Sequence, residues 1–397
     1  MTRPHRPRRI LGNLDAEADL ARIVTPWNPR PVRRRPALSR PALAAMSGAA
    51  TLLRVFAREG DRLWTPVPVD PARLAAVPGL PVPELESGPL DALPPAAAVL
   101  AWAETPQAAA HRGPVPDGPR RPEDRYPLWE VPWHLRPPAP EVVATVHHRA
   151  FALNVARALE RELPGAWMVS SLTQLEAHLR AMGPGAWVVK APLSAAGRSR
   201  HIERSPEPAL SPAARLRVGR LLALHGPLLF EPWKERVEDV GCAALLLPEE
   251  HWVIGSHHQI VDREGRFRGI ELTADPQGMD RPRDSKSQVL LAFTVYRIVE
   301  ALEEAGYHGP FGVDAFVHRL PDGTTSFHPL GELNARMTFG LVARALVNRV
   351  RGPLGLVPQA RVRLLFGRPL PGERGRVVPL LLPGPDGGGA AWLEIAS

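Results

Sequence analysis

Cysteine is nearly absent: Cys242 is the only one in 397 residues, so no disulfide can form within the chain. That fits a reducing compartment, and a cytoplasmic location is the expectation. Lysine is almost as scarce, at positions 190, 234 and 286 only, and arginine supplies the remainder of the 49 basic side chains. No uninterrupted apolar run is long enough to span a bilayer, so no membrane partner is expected. The basic start MTRPHRPRRI leads into no apolar segment, so no signal peptide is expected. The GxxxxGK[ST] loop is missing and no GxGxxG follows a strand, which removes two common phosphate loops. Zinc-finger spacing, a helix-turn-helix signal and aromatic-basic RNA motifs are missing too. No Ser-His-Asp or Cys-His constellation stands out for nucleophilic catalysis.

What is present describes a globular protein of two or three domains. Apolar residues make up 44% and charged residues 23% of the chain, which is ordinary for a packed protein. Proline is abundant, at 47, and concentrated in the first half. The net charge of +8 invites a nucleic-acid reading, because basic surfaces attract phosphate backbones. The dominance of arginine with alanine and proline points instead to a compositional bias, so nucleic acid is the less favoured partner.

In chain order, residues 9–13 read as a strand, 15–23 as a helix, 41–58 as a helix at 3.6-residue spacing and 61–69 as a strand. Residues 71–95 read as loop with a short helix, and 97–103 as a buried strand. From residue 141 the pattern becomes regular. Helices are expected over 150–163, 171–182, 211–225, 288–306 and 341–350. Strands are expected over 167–170, 187–190, 227–231, 239–247, 251–262 and 266–272. A Gly-rich turn is expected at 387–389, and no internal repeat is visible.

The most informative stretch is GPFGVDAFVHRLPDGTTSFHPLGELNARMTFG, residues 309–340. It reads as one β-hairpin, with strands over 312–319 and 324–333 joined at Pro321-Asp322-Gly323. Folding about that turn brings Asp314 opposite Gly331 or Glu332. Glu332 and Asn334 are two apart and share a strand face. Two carboxylates and an amide oxygen, with no Cys or His beside them, form an oxygen donor set. Such a set suits Mg²⁺, which takes one or two carboxylates and substrate phosphates. The alternative is a solvated edge with Asp314 and Glu332 paired to Arg319 and Arg336.

Lys190 ends the apolar strand WVVK. A desolvated ammonium needs an anionic partner, and the small-residue loop Ala191 to Arg200 can bring backbone N–H groups to phosphate oxygens. The alternative is a strand-end lysine whose ammonium reaches solvent beside an ordinary turn. The stretch LFEPWKERVED ends a strand at Glu231 and then supplies a connector and a second acidic pair. It can present backbone groups to an adenine edge and a carboxylate to ribose hydroxyls; otherwise it is a solvated interdomain loop.

Taken in order, these segments resemble the ATP-grasp superfamily over about residues 145–345. WVVKAP with SAAGRSR resembles the family's strand lysine and lid loop. FEPW resembles its hinge acid, and GVDAF with ELNAR its metal-binding acid and Glu-x-Asn-x-Arg strand. The resemblance implies an α+β ATP-grasp fold, two α+β subdomains clasping a nucleotide. Domain 1–140 would be an α/β pre-ATP-grasp-like unit, with the two subdomains over 141–235 and 236–397. It implies ATP and Mg²⁺ as cofactors. Lys190 would contact the α/β-phosphates, with Ser194, Gly197 and Arg198 in the lid. Glu231, Trp233 and Lys234 would hold adenine, and Glu238 or Asp239 the ribose. Asp314, Glu332 and Asn334 would carry metal, and Arg336 would stabilise the transferred phosphoryl group. Arg149 stands where members usually carry an earlier lysine. The implied activity is ligation of a carboxylic acid to an amine through an acyl phosphate. A phosphotransferase or a silent nucleotide-binding protein remain alternatives within the fold. His257 and His258 fall on opposite faces of their strand, one of them a candidate to face the phosphates. Arg198 and Arg200, or Arg281 and Arg283, are candidates to meet a substrate carboxylate. His147 and His148 have no metal-ligand companions and read as surface or packing residues.

Overall fold

The computed structural model describes residues 8–29, 31–32, 38–94, 96, 98–112, 127–194, 199–204, 207, 209–247, 251–262, 265–275, 285–367, 375–384 and 389–396. The lid positions Gly197 and Arg198, the arginines Arg281 and Arg283, and residues 387–388 of the expected turn lie outside them.

Three sheets organise the described residues. The first is parallel and four-stranded, from β1 (Arg9–Leu11), β2 (Arg62–Thr65), β3 (Glu84–Ser87) and β4 (Val99–Ala101), in the order β3-β2-β1-β4. β3, ELES, is a polar edge strand within a proline-punctuated stretch, so sequence alone reads it as loop. The expected helix over 41–58 is α-helical over Arg40–Ala50 and tightens to 3-10 geometry over Thr51–Phe56. The Thr51 hydroxyl donates to the Gly48 carbonyl at 2.6 Å at that junction, a local bond that competes with the α-helical ladder.

The second sheet is antiparallel, from β5 (Trp167–Val169), β6 (Trp187–Lys190), β7 (Arg200–Glu203) and β8 (Leu228–Pro232), ordered β5-β8-β6-β7. Helices Leu172–Met182 and Pro212–His225 cover it around Trp187, Phe230 and Leu228. The Ser171 and Ser211 hydroxyls accept from the Gln174 and Ala214 N–H groups in the first turns of those helices, as N-caps do.

The third sheet is eight-stranded and antiparallel throughout. It contains β9 (Arg236–Leu246), β10 (His251–Val261), β11 (Phe267–Thr273), β12 (Gly309–Arg319), β13 (Thr325–Asn334), β14 (Arg361–Phe366), β15 (Gly375–Leu381) and β16 (Ala391–Ala396). The order is β13-β12-β9-β10-β11-β14-β16-β15. Helix Phe339–Leu354 packs on one face, in a core that also takes Ile10, Leu53, Phe56 and Leu63 from the first unit. Helix Ser285–Glu304 and helix Pro140–Val146 pack on the other, against Val240, Cys242, Val313 and Leu333. Among the described residues no helix is long and apolar enough to cross a membrane.

The helix expected over 150–163 runs over Arg149–Ala158, and a separate helix, Pro140–Val146, precedes it. The chain extends at His148, whose Nδ1 accepts from the Ala150 N–H at 3.1 Å and caps the second helix. That helix stops early because Glu160 takes a positive φ of 55°. The break makes Arg149 the first residue of a helix and fixes where its guanidinium reaches.

Candidate active site

The hairpin forms as its sequence implies, but its register depends on an irregularity. Phe316 pairs with His328, whereas Asp314, two residues earlier on β12, pairs with Glu332, four residues later on β13. β13 therefore carries two extra residues within the stretch Pro329-Leu330-Gly331. Pro329 has no N–H to lose there, and Gly331 leaves room: a Cβ on it would meet the Asp314 carbonyl oxygen at 3.2 Å and Phe316 at 3.1 Å. Without this bulge Asp314 would face Leu330.

A row of paired positions then runs across four strands, His257–Gly241–Asp314–Glu332. Directly paired residues share a face, so these four look the same way, as do Gln259 and Asp239 one step along the sheet. Gly241 belongs there because a Cβ would stand 2.2 Å from the His257 ring. That imidazole fills the space between Gly241 and Gly340 and is buried. Burial, then the nearby Arg344 and His258, push its pKa down to about 3, so His257 is neutral. His258 faces the other way and meets Glu238 at 3.0 Å. Glu238 thus lies on the reverse face, and of the two acids considered for ribose only Asp239 shares the face with Asp314.

Asp314 accepts from Gln259 Nε2 at 2.6 Å and from Asn334 Nδ2 at 3.3 Å. Burial and the Glu332 charge push its pKa up to about 6. Glu332 accepts from Arg149 Nη2 at 2.8 Å. The same guanidinium donates to Ser194 Oγ and Ser194 O, both at 3.1 Å, and to the Ala191 carbonyl. The pairing of Asp314 and Glu332 with Arg319 and Arg336 does not occur. Arg319 meets Glu235 at 3.3 Å, and Arg336 meets Glu17 at 2.8 Å. Arg336 also donates to Asn334 Oδ1 at 3.0 Å, so this amide oxygen has one lone pair left for another partner.

Lys190 has the anionic partner its burial demands. Its Nζ lies 2.5 Å from Glu231 Oε2, and both side chains are buried. The two share a face diagonally, since Lys190 pairs with Leu229 and Val188 with Glu231. Burial raises the Glu231 pKa, but the Lys190 charge and hydrogen bond outweigh it and hold the carboxyl below its usual range. Beyond Glu231, Trp233 N–H donates to the Ala186 carbonyl at 2.8 Å, and Lys234 is half-buried in the same connector. Arg200 stands opposite Lys190 across β6 and β7 and reaches the Gly265 carbonyl at 3.4 Å.

Arg149, Glu231, His328 and Glu332 line a cleft of about 340 Å³ between helix Arg149–Ala158, β8 and β13. His328, Phe316 and Arg236 escaped the sequence reading. His328 is buried in the cleft wall 4.9 Å from Phe316, and Arg236 lies 4.0 Å over that ring while pairing with Asp239. Their signal is only positional: they fall on the Asp314 face once pairing is known. His147 and His148 are both buried, not surface residues, and His147 Nδ1 accepts from the Ala335 N–H at 3.0 Å.

The donor set fits a hard divalent cation. Asp314 and Glu332 are facing carboxylates, and the Asp314 pKa is raised by burial first and then by the Glu332 charge, a cost to the ionised form that a cation would offset. No group of three or more His, Cys, Asp or Glu side chains is placed to hold a metal alone among the described residues.

No protein-family model matches the sequence, and no curated protein matches it. Solved structures do match the fold. Phosphoribosylamine–glycine ligase from Thermotoga maritima superposes with a TM-score of 0.54 at 13% identity, covering 98% of this chain and 92% of that one. N5-carboxyaminoimidazole synthetase from Staphylococcus aureus, complexed with ADP, gives 0.50 at 8% identity, covering 91% and 82%. Both are ATP-grasp structures, and the likeness shows that this chain has the ATP-grasp fold with an N-terminal α/β unit.

Proposed function

We propose that the protein binds Mg-ATP in the cleft between the second and third sheets and uses it to join a carboxylic acid to an amine. The observation that carries this reading is the convergence of two charge sets on one cleft. Arg149, Glu231 and Glu332 line that cleft, with Asp314 facing Glu332 on the hairpin and Lys190 paired to Glu231. The ADP bound in the Staphylococcus aureus structure supports a nucleotide as ligand.

In this reading Lys190 and Arg149 turn from their carboxylate partners to the phosphates of the nucleotide. Glu231 is then free to accept from the adenine amine, and Asp239 to accept from ribose hydroxyls. Asp314, Glu332 and Asn334 would hold Mg²⁺, which offsets charge on the β- and γ-phosphates when bound. The substrate carboxylate attacks the γ-phosphorus to give an acyl phosphate and ADP. The amine then displaces phosphate. Arg336, two residues beyond Asn334, stabilises the charge that moves. No side-chain nucleophile is needed, because orientation and fixed charge supply the catalysis.

Calorimetric titration with Mg-ATP tests the site. Wild type should bind only with magnesium, and Lys190→Ala and the Glu332→Ala/Asn334→Ala double variant should bind much more weakly. Equal binding by wild type and both variants would remove these residues from the nucleotide site. ADP and phosphate release across a panel of acids and amines then tests the ligation.

A further inference from the structure

Arg336 is not held by its own unit alone. Its Nε donates to Glu17 Oε1 at 2.8 Å, and Glu17 belongs to the short helix Glu17–Leu20 of the first unit. The guanidinium lies over the ring of Trp102, 5.1 Å from its centroid, and the Met337 N–H donates to the Trp102 carbonyl at 3.0 Å. Trp102 directly follows β4 of that same first unit. Nη1 donates to the Met337 carbonyl at 2.9 Å and Nη2 to Asn334 Oδ1 at 3.0 Å. Arginine has five N–H donors, so two remain for another acceptor. Arg336 also lines the cleft formed by 99–104, Pro132, 135–138 and the start of β12.

Glu17 is 2% exposed, and burial opposes its charge. Arg336 and His147 nevertheless keep it ionised, with His147 Nε2 at 3.5 Å from the same oxygen. Its other oxygen, Oε2, is buried without a hydrogen-bond partner among the described residues. A buried ion pair with an orphan oxygen is a poor stabiliser, since a well-packed apolar pair is often as stable or more so. Stability alone therefore does not account for a carboxylate here. Fixing the direction of the guanidinium does, because a single acceptor on Nε sets the plane in which both terminal nitrogens lie.

We propose that Glu17 is a positioning residue: it reaches across from the N-terminal unit and orients Arg336 so that its two remaining N–H groups meet the transferring phosphoryl group. This inference rests on the ligase reading above, and it gives the N-terminal unit a part in phosphoryl transfer besides any part in holding substrate.

The test uses the reverse half-reaction, which needs no knowledge of the natural acid. Carbamoyl phosphate passes its phosphoryl group to the β-phosphate oxygen of MgADP, giving ATP and carbamate. ATP formation is followed for wild type, Glu17→Gln, Glu17→Asp, Arg336→Ala and the Glu17→Gln/Arg336→Ala pair, with the MgADP Kd and Tm measured on each. Glu17→Gln should lower kcat by about ten-fold or more while MgADP affinity stays within about two-fold, because only orientation is lost. The double variant should be no slower than Arg336→Ala, the non-additivity expected when one residue acts through the other. Glu17→Asp keeps the charge and carries the same test should the Gln variant not fold. Wild-type rates in both Glu17 variants, or additive losses in the double variant, overturn the proposal. A wild type that binds no MgADP overturns the ligase reading itself, and is told apart by involving no variant; one that binds MgADP but takes no phosphoryl group from carbamoyl phosphate or from acetyl, glycyl or succinyl phosphate overturns the proposal of phosphoryl transfer here.

Discussion

Asp314 and Glu332 stand directly opposite each other only because β13 carries two more residues than β12 between this pair and the pair Phe316–His328. The facing carboxylates are thus a product of the bulge at Pro329-Leu330-Gly331. Restoring volume at Gly331 should disturb them. In Gly331→Val a side chain must fit where even a Cβ meets Phe316 at 3.1 Å and the Asp314 carbonyl at 3.2 Å. Calorimetry should show Mg-ATP affinity reduced about ten-fold or more, since small misplacements are costly in preorganised sites. Unchanged affinity would mean the register is not needed.

Asp314 should weaken the metal-free protein. Its pKa rises from 3.8 unfolded to about 6 folded. The folded state therefore binds the extra proton between those values, and stability falls as pH climbs through that window. Asp314→Asn removes the penalty. In EDTA its Tm should exceed that of wild type by a few degrees above pH 6, with the gap closing toward pH 4. A gap of constant size across pH would contradict the assigned cause.

Arg149 acts as an internal cation on Glu332, at 2.8 Å. Arg149→Met should therefore shift two affinities in opposite directions. Mn²⁺ binding without nucleotide, followed by electron paramagnetic resonance, should tighten several-fold because no guanidinium competes. Mg-ATP binding should weaken by about ten-fold, since a phosphate contact is lost. Mn²⁺ affinity equal to wild type would show that the ion pair does not compete with metal.

Lys190 and Glu231 form a buried pair at 2.5 Å. Lys190→Ala leaves an uncompensated buried carboxylate and should cost about 3–5 kcal/mol in denaturant unfolding. Lys190→Met/Glu231→Leu should recover most of that stability yet bind no Mg-ATP. Recovery of nucleotide binding by the apolar pair would separate these residues from the site.

Elements with strong local signals were legible in the sequence. The strand WVVK, the helices over 172–182 and 212–225, and both arms of the hairpin stand where periodicity and turn residues put them. The three last strands were not read. β15 contains Pro379, which a central strand would exclude but the sheet edge tolerates, and its place at the edge is a tertiary fact. β7, RHIE, is polar and gains its strand identity only by pairing with β6. Helix Pro140–Val146 and the cap at His148 that separates it from the next helix were not read, because a histidine cap carries no such signature as Ser or Asp does.

The sequence by itself determined which donors exist and how they are spaced locally. Asp314 lies eight residues before the turn residue Asp322, Glu332 and Asn334 are two apart, and Lys190 ends a strand in a chain with almost no other lysine. Tertiary structure decided the partners. Arg149 is 183 residues from Glu332 and Glu17 is 319 residues from Arg336. Pairings at such separations leave no local periodicity, because they arise where sheets and helices from different parts of the chain pack together. That Asp239 and not Glu238 shares the Asp314 face likewise came from strand alternation fixed by register, and the facing of Asp314 and Glu332 from a bulge that residue spacing alone does not reveal.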